Sequence, residues 1–254
     1  MTSLESIVQS TKPHIIALCE TKLSKNSNGI IEEVFNKKEY KSFPRCTKVG
    51  KEGLLIAVKH NTFKSVLEVT QSQLNTIISV RLSSGCSNIR LILGYAPQET
   101  EDETVRQQFF DELELEVKTC IDAGDTLFLA GDFNAKISNS TPAHQYGTPI
   151  SNNGQLLHNI LTEQDLHMMN FDAKCQGKWT HVIRTTGASS VLDYVVTDRY
   201  LKEHIVDMVI DESTLLCPFT TTRSKGKISS TLSDHNKKRV YLNNKSEKYK
   251  WYIT

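Results

Sequence analysis

Apolar residues along this chain fall into short blocks between polar turns, and the period inside each block predicts its structure. Leu4, Ile7 and Val8, spaced by three and four behind Ser3, predict an opening helix that Pro13 stops. HIIALCE (14–20) predicts a buried strand ending at Glu20, and EYKSFPRC a weaker one. GLLIAVKH (53–60), FKSVLEVT, TIISVRL and IRLILGYAP (89–97) follow at short intervals, the signature of a meandering, largely antiparallel sheet. From 101 to 123 the period lengthens: Val105, Phe109, Phe110, Leu113, Leu115 and Val117 alternate with Glu and Asp, predicting an amphipathic helix with a solvated acidic face. TLFLAG (126–131) predicts another buried strand, followed by a polar loop and a helix at 154–164. LHMMNF, KWTHVI, VLDYVVTD (191–198) and HIVDMVI (204–210) read as further strands, with RTTGASS (184–190) a polar link among them. The stretch 213–230 is polar, and SDHNKKRVYL introduces the last strand.

Strand-rich runs interleaved with a few helices favour two packed sheets with helices outside. Glu20, Asp132 and Asp193 lie at or within strands, and Asp234 immediately precedes one. If those strand ends converge, four carboxylates meet in one cleft. Like charges held close need protons or a cation. An all-oxygen donor set favours magnesium, calcium or manganese over zinc. His235, beside Asp234, adds a group that donates to a developing oxyanion or carries a proton. Together they point to metal-assisted phosphoester cleavage. Each piece also has a plain reading: GDFN as a strand-ending turn, SDH as a cap, Glu20 as the end of an apolar run.

Composition narrows the picture. The 254 residues make one large α/β domain or two small ones, and no linker or repeat divides them. A formal charge of +1 leaves the partner open. No apolar run approaches the roughly 20 residues needed to cross a bilayer, and MTSLESIVQS lacks the build of a secretory signal, so a soluble, intracellular protein is expected. The six cysteines are widely spaced, without the close pairs of a zinc site, and read as free packing thiols.

In order along the chain, IIALCETKL (15–23), GLLIAV (53–58), LGYAPQ (93–98), LAGDFNA (129–135), KWTHV with SSVLDYVVTD (178–198) and SDHN (233–236) resemble the endonuclease/exonuclease/phosphatase superfamily. Within it, WT followed by a short hairpin and DYVV is most similar to the apurinic-type endonuclease domain of non-LTR retrotransposons. The resemblance implies an α/β (α+β) four-layer sandwich of two mainly antiparallel sheets flanked by helices, over 1–243, with 244–254 a tail or linker. It implies a Mg²⁺-dependent (Mn²⁺ possible) endonuclease that hydrolyses a DNA phosphodiester and leaves a 3′-hydroxyl. Another phosphoesterase of the superfamily and an inactive remnant are the alternatives. Glu20 would be a metal ligand, with Asp234 near the ion. Asp132 would orient or deprotonate water, Asn134 would fix it beside the phosphate, and Tyr95 would contact that phosphate. Asp193 would hold His235. In this family a strand carrying an Asn-x-Arg or Asn-x-Asp motif precedes the first helix, whereas Met1 begins at that helix. Either the true start lies upstream or this is a truncated copy; in the chain as given that strand and its Asn are expected to be missing, leaving the ladder of a neighbouring strand open.

From Ser213 to Thr254 nine Lys and Arg residues face two acids, a local excess that suits a phosphate backbone. Arg223, Lys225 and Lys227, close to SDH, are the candidate backbone contacts, and Arg184 at the hairpin tip the candidate groove contact. Trp179 reads as a packing residue. The partners expected are DNA and a reverse transcriptase in one polyprotein, with no membrane, and a monomer acting in the nucleus.

Overall fold

The structure is a computed structural model. It describes residues 8–9, 11–23, 28–45, 53–72, 76–85, 87–137, 149–182, 186, 188–212, 219–224, 227–232, 237–244 and 247–253, with backbone alone at 28, 182 and 219–252. Along the chain run β1 (Ile15–Leu18), α1 (Asn28–Asn36), β2 (Tyr40–Arg45), β3 (Leu54–Lys59), β4 (Ser65–Gln71), β5 (Ile77–Ser83) and β6 (Asn88–Tyr95). Then come α2 (Glu103–Asp122), β7 (Thr126–Asp132), α3 (Asn152–Glu163), β8 (His167–Met168), a 3-10 turn (Met169–Phe171) and β9 (Cys175–Gln176). The last part holds β10 (His181–Val182), β11 (Ser189–Ser190), β12 (Asp193–Thr197), α4 (Arg199–His204), β13 (Ile205–Asp211), β14 (Phe219–Ser224), β15 (Lys227–Leu232), β16 (Lys237–Asn244) and β17 (Glu247–Ile253).

Two sheets face each other, with strand orders β2-β3-β1-β17-β16-β13-β9 and β4-β5-β6-β7-β12-β8. Their inner faces interdigitate: Ile15, Ala17 and Ile56 from one meet Leu93, Phe128 and Ala130 from the other in one buried cluster. The outer face of the second sheet, with Ile92, Leu129 and Val196, is covered by Phe109, Phe110 and Leu113 of α2 and Leu157 of α3. The outer face of the first, with Ile16, Leu55 and Ala57, is covered by Ile31 and Phe35 of α1. Helix, sheet, sheet and helix make four layers. Burial on both faces explains why β7 is buried along its whole length and reads as a continuous apolar run.

Where sequence and structure differ, the cause is local. α1 is a nine-residue helix in which, among the side chains described, only Ile31 and Phe35 are buried, too short a stripe to read as a period. α4 has six residues and depends on Asp198, whose Oδ1 accepts from the amide of Leu201 at 2.6 Å. In α2, Val105 and Leu115 lie exposed. Its acidic face is not wholly solvated either, since Glu116 accepts from Thr70 at 3.0 Å and faces the buried Arg90. The polar stretch 213–230 contributes β14 and much of β15, which pair as an antiparallel hairpin. Residues 247–253, expected within a tail or linker, form an inner strand. β17 lies parallel to β1 (Ile15 opposite Trp251, Ala17 opposite Ile253) and antiparallel to β16. β1 is thus paired on both sides, by β17 and by β3.

Candidate active site

The two sheets bring their acids to one end of the inner core. β6 and β7 are parallel, with Tyr95 level with Asp132, and β7 and β12 are antiparallel, with Asp132 opposite Asp193. Side chains alternate faces along a strand. Tyr95 therefore continues the row of Leu91 and Leu93, Asp132 that of Phe128 and Ala130, and Asp193 that of Val195, all in the inter-sheet cluster. Directly opposed residues have Cβ atoms about 5 Å apart. Asp132 (3% exposed) and Asp193 (2%) thus place two carboxylates side by side where water is scarce.

Glu20 arrives from the facing sheet, just past β1. The Tyr95 hydroxyl donates to its Oε1 at 2.7 Å, and the Lys22 ammonium lies 3.9 Å from Oε2. Beside it the Cys19 thiol donates across the sheets to the Gly94 carbonyl at 3.6 Å. Glu20 (φ 50°), Lys22 (φ 54°) and Asn134 (φ 44°) all adopt left-handed backbone conformations. Such conformations cost non-glycine residues about 1–3 kcal/mol each and cluster at functional sites. The turn at 20–22 leans on Gly53, where an added Cβ would lie 2.4 Å from the Thr21 hydroxyl.

Asn134 ties the mouth of β7 to that of β6. Its amide donates to Asp132 Oδ1 at 2.9 Å and its Nδ2 to the Ala96 carbonyl at 2.8 Å. The plain reading of GDFN as an Asx turn is therefore realised, and the same turn holds acid and amide together. Asn153, fully buried at the start of α3, donates through Nδ2 to the Pro97 carbonyl at 2.8 Å and reaches the carbonyls of Asn134 and Phe133 at 3.3 and 3.4 Å. It braces both site loops. Sequence reasoning missed Asn153, which falls in a stretch that reads as a polar loop, and Cys19, which reads as packing. On the opposite face, Tyr194 shares its hydroxyl proton between the Ala135 and Val191 carbonyls, 2.9 Å away. Burial above all, then the charges of Asp193 and Asp132, raises its phenol well beyond the usual range.

Of the residues expected at the site, Glu20, Tyr95, Asp132, Asn134 and Asp193 come together. Asp234, His235, Arg184 and Lys225 lie outside the described residues, and Arg223 and Lys227 are described by backbone alone, near the turn of the β14–β15 hairpin. Trp179 packs against the outer core, with the Lys178 ammonium 4.6 Å from its ring centre. Among the described residues no three His, Cys, Asp or Glu side chains gather closely enough to hold a metal ion. Magnesium, however, characteristically takes one or two carboxylates and completes its shell with water and phosphate oxygens. The part-exposed Glu20 and the adjoining buried acid pair fit that requirement as hard oxygen donors.

An acid-lined, two-sheet α/β sandwich is the class these features define. The chain belongs to the endonuclease/exonuclease/phosphatase family, whose model matches residues 1–235. No protein of curated function matches it. Among solved structures it is similar to the 3′ phosphatase NExo from Neisseria bound to a product DNA hairpin, with TM-score 0.68 and 15% identity over 93% of this chain and 91% of that one. An AP endonuclease from Archaeoglobus fulgidus matches with TM-score 0.66 and 17% identity over 92% and 90%. The endonuclease domain of TRAS1, a telomere-specific non-LTR retrotransposon, matches with TM-score 0.56 and 17% identity over 92% and 100%. At these identities the likeness concerns the fold. Among the described residues no helix is long and apolar enough to cross a membrane.

Proposed function

We propose that this chain is a Mg²⁺-dependent DNA endonuclease domain of the non-LTR retrotransposon type, which hydrolyses one phosphodiester and leaves a 3′-hydroxyl. The observation that carries this reading is the row Tyr95–Asp132–Asp193 at adjoining strand ends, with Glu20 hydrogen-bonded to Tyr95 from the facing sheet. Family membership supports the reaction class. The WT…DYVV pattern and the likeness to the TRAS1 domain support the retrotransposon type.

Asp132 would accept the proton of an attacking water and aim it in line with the P–O bond, while Asn134 keeps that acid and the phosphate in register. Tyr95 would hold Glu20 and meet the scissile phosphate. Asp193 would fix the tautomer of His235, whose other nitrogen then faces a phosphate oxygen. Glu20 and Asp234 would hold the divalent cation, Mg²⁺ or Mn²⁺, which when bound stabilises charge on the phosphoryl oxygens. Arg223, Lys225 and Lys227 would track the DNA backbone and Arg184 would enter a groove. The chain would act as a monomeric unit, on genomic DNA in the nucleus, beside a reverse transcriptase in one polyprotein.

Supercoiled plasmid incubated with the protein and Mg²⁺ tests this. The expected product is nicked circle that a DNA polymerase extends directly from the nick. A nick that must first be treated with a phosphatase contradicts the 3′-hydroxyl. Phosphate release from small phosphoesters without nicking points to a phosphatase of the same family, and absence of both activities to an inactive remnant.

A further inference from the structure

Asp193 opens β12, and on the side away from β7 no strand among the described residues runs beside it: β8 pairs only with Val196 and Thr197. Two side chains continue the ladder where β8 stops. Asn170, 5% exposed in the 3-10 turn after β8, donates through Nδ2 to the Asp193 carbonyl at 2.9 Å and accepts through Oδ1 from the Val195 amide at 2.9 Å. Those are the two bonds an adjacent strand would make. Thr180, fully buried, accepts through Oγ1 from the amides of Leu192 at 3.0 Å and Asp193 at 3.1 Å. Its own amide donates to the Ser190 carbonyl at 3.1 Å, which anchors it to the base of the β10–β11 hairpin.

We infer that Asn170 and Thr180 are positioning residues that clamp the backbone of Asp193 and so fix its carboxylate beside Asp132, an inference that rests on the nuclease reading of this site. The need for a clamp is physical. Asp193 stands at a strand terminus, where ladders fray, and directly opposite another buried acid, whose charge pushes the two ends apart. A displacement of about 1 Å at a reacting centre is enough to cost 100-fold in rate. Both clamp residues come from segments outside β12, one from 166–171 and one from 178–182, so each can be altered without touching an acid.

Amide hydrogen exchange reads the clamp without substrate, and nicking kinetics read its consequence. In the wild type the Leu192, Asp193 and Val195 amides are expected to exchange as slowly as those of Leu129 and Ala130 inside β7; fast exchange there overturns the clamp with no variant needed. Thr180→Val keeps shape and removes the acceptor, so exchange at Leu192 and Asp193 should rise at least tenfold while Val195 is unchanged. Asn170→Ala should do the reverse, releasing Val195. Thr180→Ser, which retains the oxygen, should stay within threefold of wild type. In nicking, Thr180→Val and Asn170→Ala should lower kcat at least tenfold with KM within threefold, and Thr180→Ser should restore it. A uniform rise in exchange across β7 and β12, or unchanged kcat in variants whose amides are released, overturns the proposal. If the wild type does not nick at all, the nuclease reading fails while the exchange pattern still decides the clamp.

Discussion

A methyl group added at Gly131 would lie 1.9 Å from the carbonyl oxygen of Gly94, because these glycines face each other where β6 and β7 carry Tyr95 and Asp132 into the site. Gly131→Ala is expected to destabilise the fold by about 3 kcal/mol or more. Gly124→Ala, at φ +66° with nothing within 4 Å, should cost only about 1 kcal/mol; urea unfolding of the two variants checks the contrast. Burial pushes the Cys120 and Cys175 thiols up to about 12, so both should resist iodoacetamide at pH 8 until urea is added, as peptide mapping would show. Burial, with Glu39 adding, holds the Tyr40 phenol at about 12, while in the unfolded chain a tyrosine titrates near 10. The folded state therefore prefers the neutral phenol. Its contribution is complete below about pH 10 and is lost as pH rises to about 12, so the urea midpoint should fall across that window together with the appearance of phenolate absorbance. Glu20, Asp132 and Asp193 were legible because each ends or opens an apolar run. Asn170 and Thr180 were not, since a buried amide or hydroxyl that serves a distant backbone leaves no local pattern.

At the scale of elements, the end of the six-stranded sheet away from the site is held by ions. Asp125, whose side chain is fully buried just before β7, accepts from Arg81 Nη2 at 2.8 Å and from Arg90 at 3.4 Å, the Arg81 Nε lies 2.7 Å from its other carboxylate oxygen, and Arg90 reaches Glu68 at 3.1 Å. Removing one partner of a buried pair leaves the other charge uncompensated, at about 3–5 kcal/mol. Asp125→Ala is thus expected to lower stability by that amount in urea. The nicking rate per folded molecule should hold, because Asp125 and Asp132 occupy opposite ends of β7. A fall in the rate of fully folded protein would show that the brace also shapes the site. Elements with full apolar faces, such as β7, β12 and α2, were plain in the sequence. The β14–β15 hairpin was not, because FTTTRS and KISSTL carry β-branched residues without an apolar alternation for periodicity to detect.

Across the whole molecule, β17 joins β1 to β16, and through it the seven-stranded sheet is continuous. Ile253 is buried in the core between the sheets. Deleting 245–254 should therefore abolish cooperative unfolding and expose apolar surface to a dye such as ANS, whereas an unchanged melting midpoint would make β17 dispensable. Two packed sheets with helices outside were foreseeable from the order of the strands, while the four layers and the shared cleft were what the family resemblance implied. The partner of β1 was not, since the polar pattern of 247–253 marks no pairing with a strand more than two hundred residues away. The claim on which the rest depends is that acids from both sheets serve one metal-assisted hydrolysis. It is tested most directly by the initial nicking rate of supercoiled plasmid with Mg²⁺, with EDTA, and with Glu20→Gln and Asp132→Asn in place of the wild type. The expected result is nicking by the wild type that EDTA abolishes and that each substitution lowers by at least 100-fold; nicking that persists in EDTA, or that stays within threefold of wild type in either variant, would contradict it.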